Sequence, residues 1–298
     1  MAPHENNPLT GKSVVISGAT SGIGWQAALE FAQHGALVIA LGRSAERAQD
    51  AQARILSQVP QARLHFVLAD FNSLADVRRA ADDIRQILSQ AGCAGLDVLI
   101  NNAGGFNATK QYSKDGFERT FAVNHLAAFQ LTMSLLPALR ASGDGRVMAV
   151  SSYSHRTTCI NPRHIADPRI FNSLWAYKSS KLCNVLFCTE FNHRFGDKDL
   201  RAFAVDPGLV DTDIAAKHSG ALIKLVWRLK RQQGTHAHVP VQTLLYLAQA
   251  ELDNLLPAVY WRDSQPLRES RQARRADLAR DIWALSLRCC GMKEESHH

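Results

Sequence analysis

The six cysteines, Cys93, Cys159, Cys183, Cys188, Cys289 and Cys290, include no Cys-x-x-Cys pair and no Cys/His cluster at zinc spacing. No structural zinc or dithiol centre is therefore expected, and the thiols read as reduced and mostly buried. No run of about 18 apolar residues occurs, which argues against a membrane-spanning helix. MAPHENNPLTGK, at the N-terminus, has no apolar core segment, so no secretory signal is read there and a cytoplasmic location is expected. Motifs that read DNA or RNA are missing too, so no nucleic-acid partner is expected from the formal charge of +7. That charge is uneven: from Ile214 onward there are 13 Lys/Arg against 8 Asp/Glu. An anionic cofactor or an acidic lipid surface would suit it.

What is present is an apolar content of 46% in 298 residues, enough for a substantial core in one large α/β domain spanning 1–298. Short β-branched runs alternate with helical patterns. Ser13 to Ser17 reads as a buried strand and runs into Gly18-Ala19-Thr20-Ser21-Gly22-Ile23-Gly24, followed by a helix from Trp25. Strand, glycine-rich turn and helix make a phosphate cradle, because glycine admits close approach and the helix start offers free N–H groups. The second strand, Leu37 to Leu41, ends at Arg43, where an acidic residue would bind a ribose 2′-hydroxyl. A guanidinium there fits a 2′-phosphate instead, which favours NADP(H) over NAD(H).

A third strand, Leu64 to Ala69, ends at Asp70-Phe71. Asp70 fits either of two roles, accepting from an adenine amino group or capping the helix that Asn72-Ser73 also announces. The fourth strand, Asp97 to Ile100, leads into Asn101-Asn102-Ala103-Gly104. There asparagine amides can tie strands together, and the small Ala103-Gly104 pair lets a flat cofactor lie close. Asn124 sits mid-helix in TFAVNHLAAFQLTMSLLPAL, a poor place for asparagine unless it has partners or a task. The fifth strand, Arg146 to Val150, runs into Ser151-Ser152, and a long loop from His155 to Trp175 precedes the next helix. The sixth, Arg201 to Val205, ends in Asp206-Pro207-Gly208, and a seventh is read at Ala258 to Trp261. These features give a doubly wound, mainly parallel seven-stranded sheet with helices on both faces. Nearly every unusual polar residue falls at a strand's carboxyl end, where such sheets bind ligands.

The helix of LWAYKSSKLCNVLFCTEFNHRF carries Tyr177 and Lys181 at i and i+4, hence on one face. An ammonium near a phenol favours the phenolate, so Lys181 is expected to lower the Tyr177 pKa and ready it for proton transfer.

With these pieces assembled, residues 11 to 290 resemble the short-chain dehydrogenase/reductase family, a Rossmann-type fold. The glycine motif matches except that Ser17 replaces a threonine, and Asn101-Asn102-Ala103-Gly104 matches the family's N-N-A-G. The resemblance places a catalytic tetrad on Asn124, Ser152, Tyr177 and Lys181. It implies hydride transfer with NADP(H), Tyr177 as acid/base, Ser152 polarising the substrate oxygen, Lys181 holding the nicotinamide ribose and Asn124 holding a water. It also places Pro207, Gly208, Val210 and Thr212 at the cofactor. DVLINNAG, VNHL, AYKSSKLCN and IWALS look like the retinol-dehydrogenase-like branch, which includes WW-domain oxidoreductases. The 25-residue separation of Ser152 and Tyr177 fits that branch and selects Ser152 over Ser151. SKLCN, EFNHRF and VYW are also similar to protochlorophyllide reductases, where a cysteine at the Cys183 position matters; here Cys183 reads as a core residue. A non-catalytic NADP(H)-binding sensor or scaffold is the reading outside enzymology, and the complete tetrad argues against it.

By the same resemblance, about 213–238 is a substrate lid. SGALIKLVWRLKRQQG interleaves apolar and basic residues, so its inner face suits a lipophilic small-molecule substrate: a retinoid, steroid, polyketide ketone or lipid aldehyde. Residues 219–231 are open to three uses: packing on the domain, additional peripheral contact with a membrane surface, or binding a partner. The resemblance also suggests a homodimer through the Asn124 and Tyr177 helices.

Overall fold

The computed structural model describes residues 7–197, 199–208 and 237–293. Val210, Thr212, the 219–231 stretch and nearly all of the expected lid lie outside the described residues.

Eight strands form one sheet: β1 (Ser13–Ser17), β2 (Leu37–Gly42), β3 (Leu64–Leu68), β4 (Val98–Asn101), β5 (Gly145–Val150), β6 (Leu200–Val205), β7 (Tyr260–Arg262) and β8 (Gln265–Pro266). Their order is β3-β2-β1-β4-β5-β6-β7-β8, parallel from β3 through to β7. The expected count of seven becomes eight because β8 is a two-residue strand antiparallel to β7. The two-residue turn between them holds Asp263 and Ser264 at φ 52 and 57, the left-handed pair a tight hairpin needs. A strand that short has no alternation for a sequence pattern to reveal.

Every residue of β1, β2, β4 and β5 is buried. Helices on both faces account for this, and for the near-continuous Val, Ile, Leu and Ala of these strands. Alternate residues supply two cores. Val15 and Leu99 join one, while Val14, Ile16, Val98 and Ile100 join the other. Strand order reverses direction between β1 and β4, and the crevice at their carboxyl ends is where this architecture accepts ligands.

The helices are α1 (Gly22–Gln33), α2 (Ala45–Leu56), α3 (Leu74–Gln90), α4 (Arg119–Ala141), α5 (Ser173–Phe195), α6 (His238–Gln249) and α7 (Ala276–Cys289). Ser44, Ser73 and Asn172 cap α2, α3 and α5 by accepting from Arg47, Asp76 and Trp175 N–H groups. Helix α4 is long and apolar enough to cross a membrane by composition, but 72% of its most apolar window is buried inside the domain, as befits a core helix. Helix α5 is enclosed along most of its length and carries Cys183 fully buried in the core, where desolvation pushes the thiol well up. Between β5 and α5, the long expected loop holds one short 3-10 turn, Tyr153–Thr157.

Helix α7 lies across α4 and α5. Its Trp283 stacks on Phe187 at 5.8 Å and meets Phe129 edge-on at 4.9 Å. Part of the outer surface of the Asn124 and Tyr177 helices is thus covered by the chain's own later helix.

Candidate active site

The glycine turn is stitched to β4 by one hydroxyl. Ser17 Oγ accepts from the Asn102 and Ala103 N–H groups, both at 3.0 Å, and donates to the Ile100 carbonyl at 3.3 Å. Asn102 Nδ2 donates back to the Ser17 carbonyl at 2.9 Å. The crevice between β1 and β4 is therefore fixed by buried polar bonds, with serine serving where a threonine would. Gly18 and Gly22 have φ of +70 and +57, a region closed to most side chains. A Cβ on Gly24 would meet the Gly18 carbonyl oxygen closer than real Cβ atoms come, and Asn102 Nδ2 at 2.5 Å. Ser21 offers α1 no side-chain cap, and no acidic residue stands in its first turn. Uncapped N–H groups, a positive dipole end and exposed Ser21 and Gly22 fit a pyrophosphate. Thr20 is half-buried beside Gly42, and Ile23 is buried in the core.

Arg43 is exposed at the carboxyl end of β2, and no ion pair to it forms among the described residues. Asp70 accepts from Asn72 N–H at 3.1 Å and pairs with Lys114 at 3.0 Å. The capping alternative for Asp70 gives way to Ser73, one residue from the start of α3, whose hydroxyl reaches the Asp76 N–H. Phe71 turns its side chain into the core, so only its backbone is at the crevice.

Asn124 lies in a π turn, Ala122–Leu126, inside α4. Such a widened turn redirects side chains and recurs at functional sites. Its Oδ1 accepts from Gly105 N–H at 2.7 Å; its Nδ2 donates to the Gly105 carbonyl and to Ser180 Oγ, both at 3.0 Å. Asparagine in mid-helix thus has its partners. A Cβ on Gly104 would lie 3.2 Å from Asn124 Oδ1 and 3.4 Å from Lys181 Nζ, so these three residues converge where a cofactor could lie.

The two serines after β5 separate cleanly. Ser151 is buried and donates to the Lys181 carbonyl at 2.8 Å. Ser152 is half-buried, its Oγ takes up the Ser154 N–H and hydroxyl at 3.2 and 3.0 Å, and it stands close enough to the Tyr177 hydroxyl to influence its ionisation. Tyr177 and Lys181 share one face of α5, with Lys181 Nζ 5.8 Å from the tyrosine ring centre and donating to the Val150 carbonyl at 2.9 Å. The expected lowering of the Tyr177 pKa does not hold here. Burial pushes the phenol up to about 12, the neighbouring Ser152 hydroxyl pulls against that, and the Asp206 charge adds to it. Burial also brings the Lys181 ammonium down to about 8. Desolvation is the largest cause of both shifts.

Asp206 is buried at the end of β6 and accepts from Gly208 N–H at 3.0 Å and Tyr260 Oη at 2.7 Å, which shapes the Pro207-Gly208 turn. Tyr260→Phe leaves one Asp206 oxygen without its donor. We expect a stability loss of about 1–3 kcal/mol, read as a lower denaturation midpoint in urea. An unchanged midpoint would mean that water replaces the phenol.

Tyr177, Ser152 and Lys181 thus meet beside a glycine-lined crevice, with Arg43 and Asp70 at neighbouring strand ends. A proton donor, a hydroxyl able to polarise an oxygen and an ammonium stand together next to a nucleotide-sized cradle. The family model described as short chain dehydrogenase matches residues 12–221. The chain belongs to the short-chain dehydrogenase family. It is 34% identical to the WW domain-containing oxidoreductase of Homo sapiens over 293 residues, covering 95% of this chain and 69% of that one. Retinol dehydrogenase 12 of Homo sapiens is 33% identical over 290 residues, covering 97% and 90%. Among solved structures, an uncharacterised protein of Mycobacterium paratuberculosis superposes with a TM-score of 0.73 at 32% identity, covering 95% of each chain. As a short-chain dehydrogenase, the protein is an oxidoreductase with the fold that binds a nicotinamide cofactor.

Several buried residues at this short-chain dehydrogenase site escape sequence reasoning. His155 is fully buried, accepts from Ser270 N–H at 3.4 Å and hydrogen-bonds the Ser152 carbonyl at 2.8 Å. His125 and Asn184 lie behind Lys181. His125 and Asn184 fall within VNHL and AYKSSKLCN, but nothing in those motifs gives either of them a task.

Proposed function

We propose that the protein is an NADP(H)-dependent oxidoreductase that interconverts an alcohol and a carbonyl on a hydrophobic substrate. The observation that carries this reading is the placement of Tyr177 beside Ser152, with Lys181 one helical turn away on the same face of α5, next to the crevice. The nicotinamide, when bound, supplies or accepts the hydride. In the reductive direction Tyr177 gives its proton to the carbonyl oxygen; a phenol at about 12 carries that proton at neutral pH. Ser152 orients and polarises the same oxygen. Lys181, held on the Val150 carbonyl, places positive charge beside the developing phenolate and lowers the barrier to its formation.

The preference for NADP(H) rests on the exposed Arg43 and on the absence of a carboxylate at that strand end. A lipophilic substrate is supported by the apolar residues of the 213–238 segment and by the likeness to a retinol dehydrogenase. Peripheral contact with an anionic membrane through 219–231, and a homodimer, belong to the same proposal as untried partners.

The test is fluorescence titration with NADPH and NADH, followed by NADPH oxidation against a panel of lipophilic aldehydes and ketones. Tight binding with turnover of any panel member supports the reading; binding without turnover of any member favours a sensor. Arg43→Asp should weaken NADPH by about 10- to 100-fold, the loss of one or two charge-assisted bonds. NADH affinity should stay the same or improve. A wild-type preference for NADH would remove Arg43 from its role.

A further inference from the structure

Behind Lys181 runs a buried chain of polar groups that the reaction itself does not use. Lys181 Nζ and Asn184 Nδ2 both donate to the Val150 carbonyl, at 2.9 and 3.2 Å. Asn184 Oδ1 lies 3.3 Å from His125 Nδ1, and His125 Nε2 lies 2.8 Å from Ser286 Oγ on α7. His125, Asn184 and Ser286 are all at most 3% exposed. The chain therefore starts on α7, passes through the π turn of α4, crosses to α5 and ends at the end of β5.

The pattern dictates the tautomer. Asn184 must turn its amide N–H₂ to the Val150 carbonyl, so its oxygen faces the imidazole and requires a donor. Nδ1–H supplies it, which leaves Nε2 to accept from the Ser286 hydroxyl, whose single hydrogen then turns to the ring and away from the Ile282 carbonyl, also 2.8 Å from Ser286 Oγ. Burial pushes the imidazole down to about 4, so the neutral ring with one donor and one acceptor is the form present at neutral pH. Phe121 stacks on the ring at 5.3 Å and fixes its plane. A buried histidine satisfied on both sides is ordinarily only a structural element. This one differs in what it fixes. The amide it orients shares an acceptor with Lys181, and its own backbone follows Asn124 in the π turn.

We propose that His125 is a positioning residue for Lys181, acting through Asn184 and the Val150 carbonyl, with Ser286 of α7 as its outer anchor. This rests on the reading of Lys181 given above. Without the Nδ1 donor the Asn184 amide is free to turn, the Val150 carbonyl loses one of its two donors, and the lysine loses a fixed seat. The C-terminal helix then does more than cover apolar faces, because it holds the far end of the chain that seats the ammonium.

The experiment compares His125→Phe, His125→Gln and Ser286→Ala in the full chain. His125→Phe keeps the stack on Phe121 and removes both hydrogen bonds; His125→Gln restores a donor and an acceptor. Two readouts are taken: steady-state kinetics over pH, and the ¹³Cε titration of Lys181 by NMR, its signal assigned by loss in Lys181→Met. For His125→Phe we expect kcat to fall about 10- to 100-fold with KM and NADPH affinity nearly unchanged, as for a misplaced catalytic group. The Lys181 midpoint should move by about half a pH unit or more. His125→Gln should recover part of both, and Ser286→Ala should shift both in the same direction by less. Folded His125→Phe with wild-type kcat and an unmoved lysine midpoint would overturn the proposal. If His125→Phe does not fold, Ser286→Ala and Asn184→Ala decide it by the same two readouts. The NMR titration needs no turnover, so an inactive wild type would count against the proposed reaction while the positioning role is still judged.

Discussion

Tyr177→Phe should reduce kcat about 10³-fold or more, within the range general acid–base groups contribute, while NADPH affinity changes by less than about threefold. The substitution deletes one oxygen and keeps the ring, which meets Phe106 edge-on at 6.1 Å. Packing is therefore preserved, and removal of one phenol hydroxyl should lower stability by only about 1 kcal/mol. What disappears is the proton for the substrate oxygen. Ser152 then has no phenol to work with, and Lys181 has no developing phenolate to favour. Steady-state NADPH oxidation and fluorescence titration on the same preparation measure both halves. Turnover within about tenfold of wild type would show that a different group moves the proton.

Gly24→Ala should be equally damaging for a different reason. Alanine is the better helix former by about 1 kcal/mol, so an open site in α1 would gain from the change. Here the added methyl would press on the Gly18 carbonyl and come within 2.9 Å of the Gly18 carbonyl carbon, and both are backbone atoms that cannot swing aside. Relief requires the glycine turn to part from α1, which also breaks the Asn102 amide bonds to Ser17 and Gly18. We expect a stability loss of about 3 kcal/mol or more, with NADPH binding lost in whatever still folds. Gly105→Ala is the control, because its Cβ would meet nothing within 4 Å. Equal melting temperatures for Gly24→Ala and wild type would mean the cradle is looser than its contacts indicate.

Much of this site was legible in the sequence because its chemistry is local. Tyr177 and Lys181 are one turn apart, so a helical pattern alone puts them on one face. The glycine turn shows itself by the strand before it and the helix after it. The parallel sheet followed from the alternation of strands and helices, apart from β8, whose two residues are too few to show a period. The parts that could not be read depend on contacts between distant segments. Ser152 is preferred to Ser151 on its spacing to Tyr177 by resemblance, but that the Lys181 carbonyl, 30 residues on, takes up the Ser151 hydroxyl shows only in the fold. The widened turn at Asn124 has no signature in propensity. The pKa order reversed because desolvation is a property of the folded surroundings, and a Tyr-x-x-x-Lys spacing says nothing about how much water is excluded.

The two edges of the sheet have unequal consequences for solubility. At one edge β8 ends in Pro266, which has no N–H to offer a neighbouring chain, and the Asp263-Ser264 turn shortens what could be paired. At the other, β3 presents five residues, with Leu68 43% exposed. Arg79 reaches from α3 to donate to the Leu68 carbonyl at 2.6 Å and sets a cation, paired with Asp76 and Asp83, against that edge. Any intruding strand must first displace that guanidinium. Edge-to-edge aggregation is thus steered to one flank of the molecule and guarded there by a single side chain.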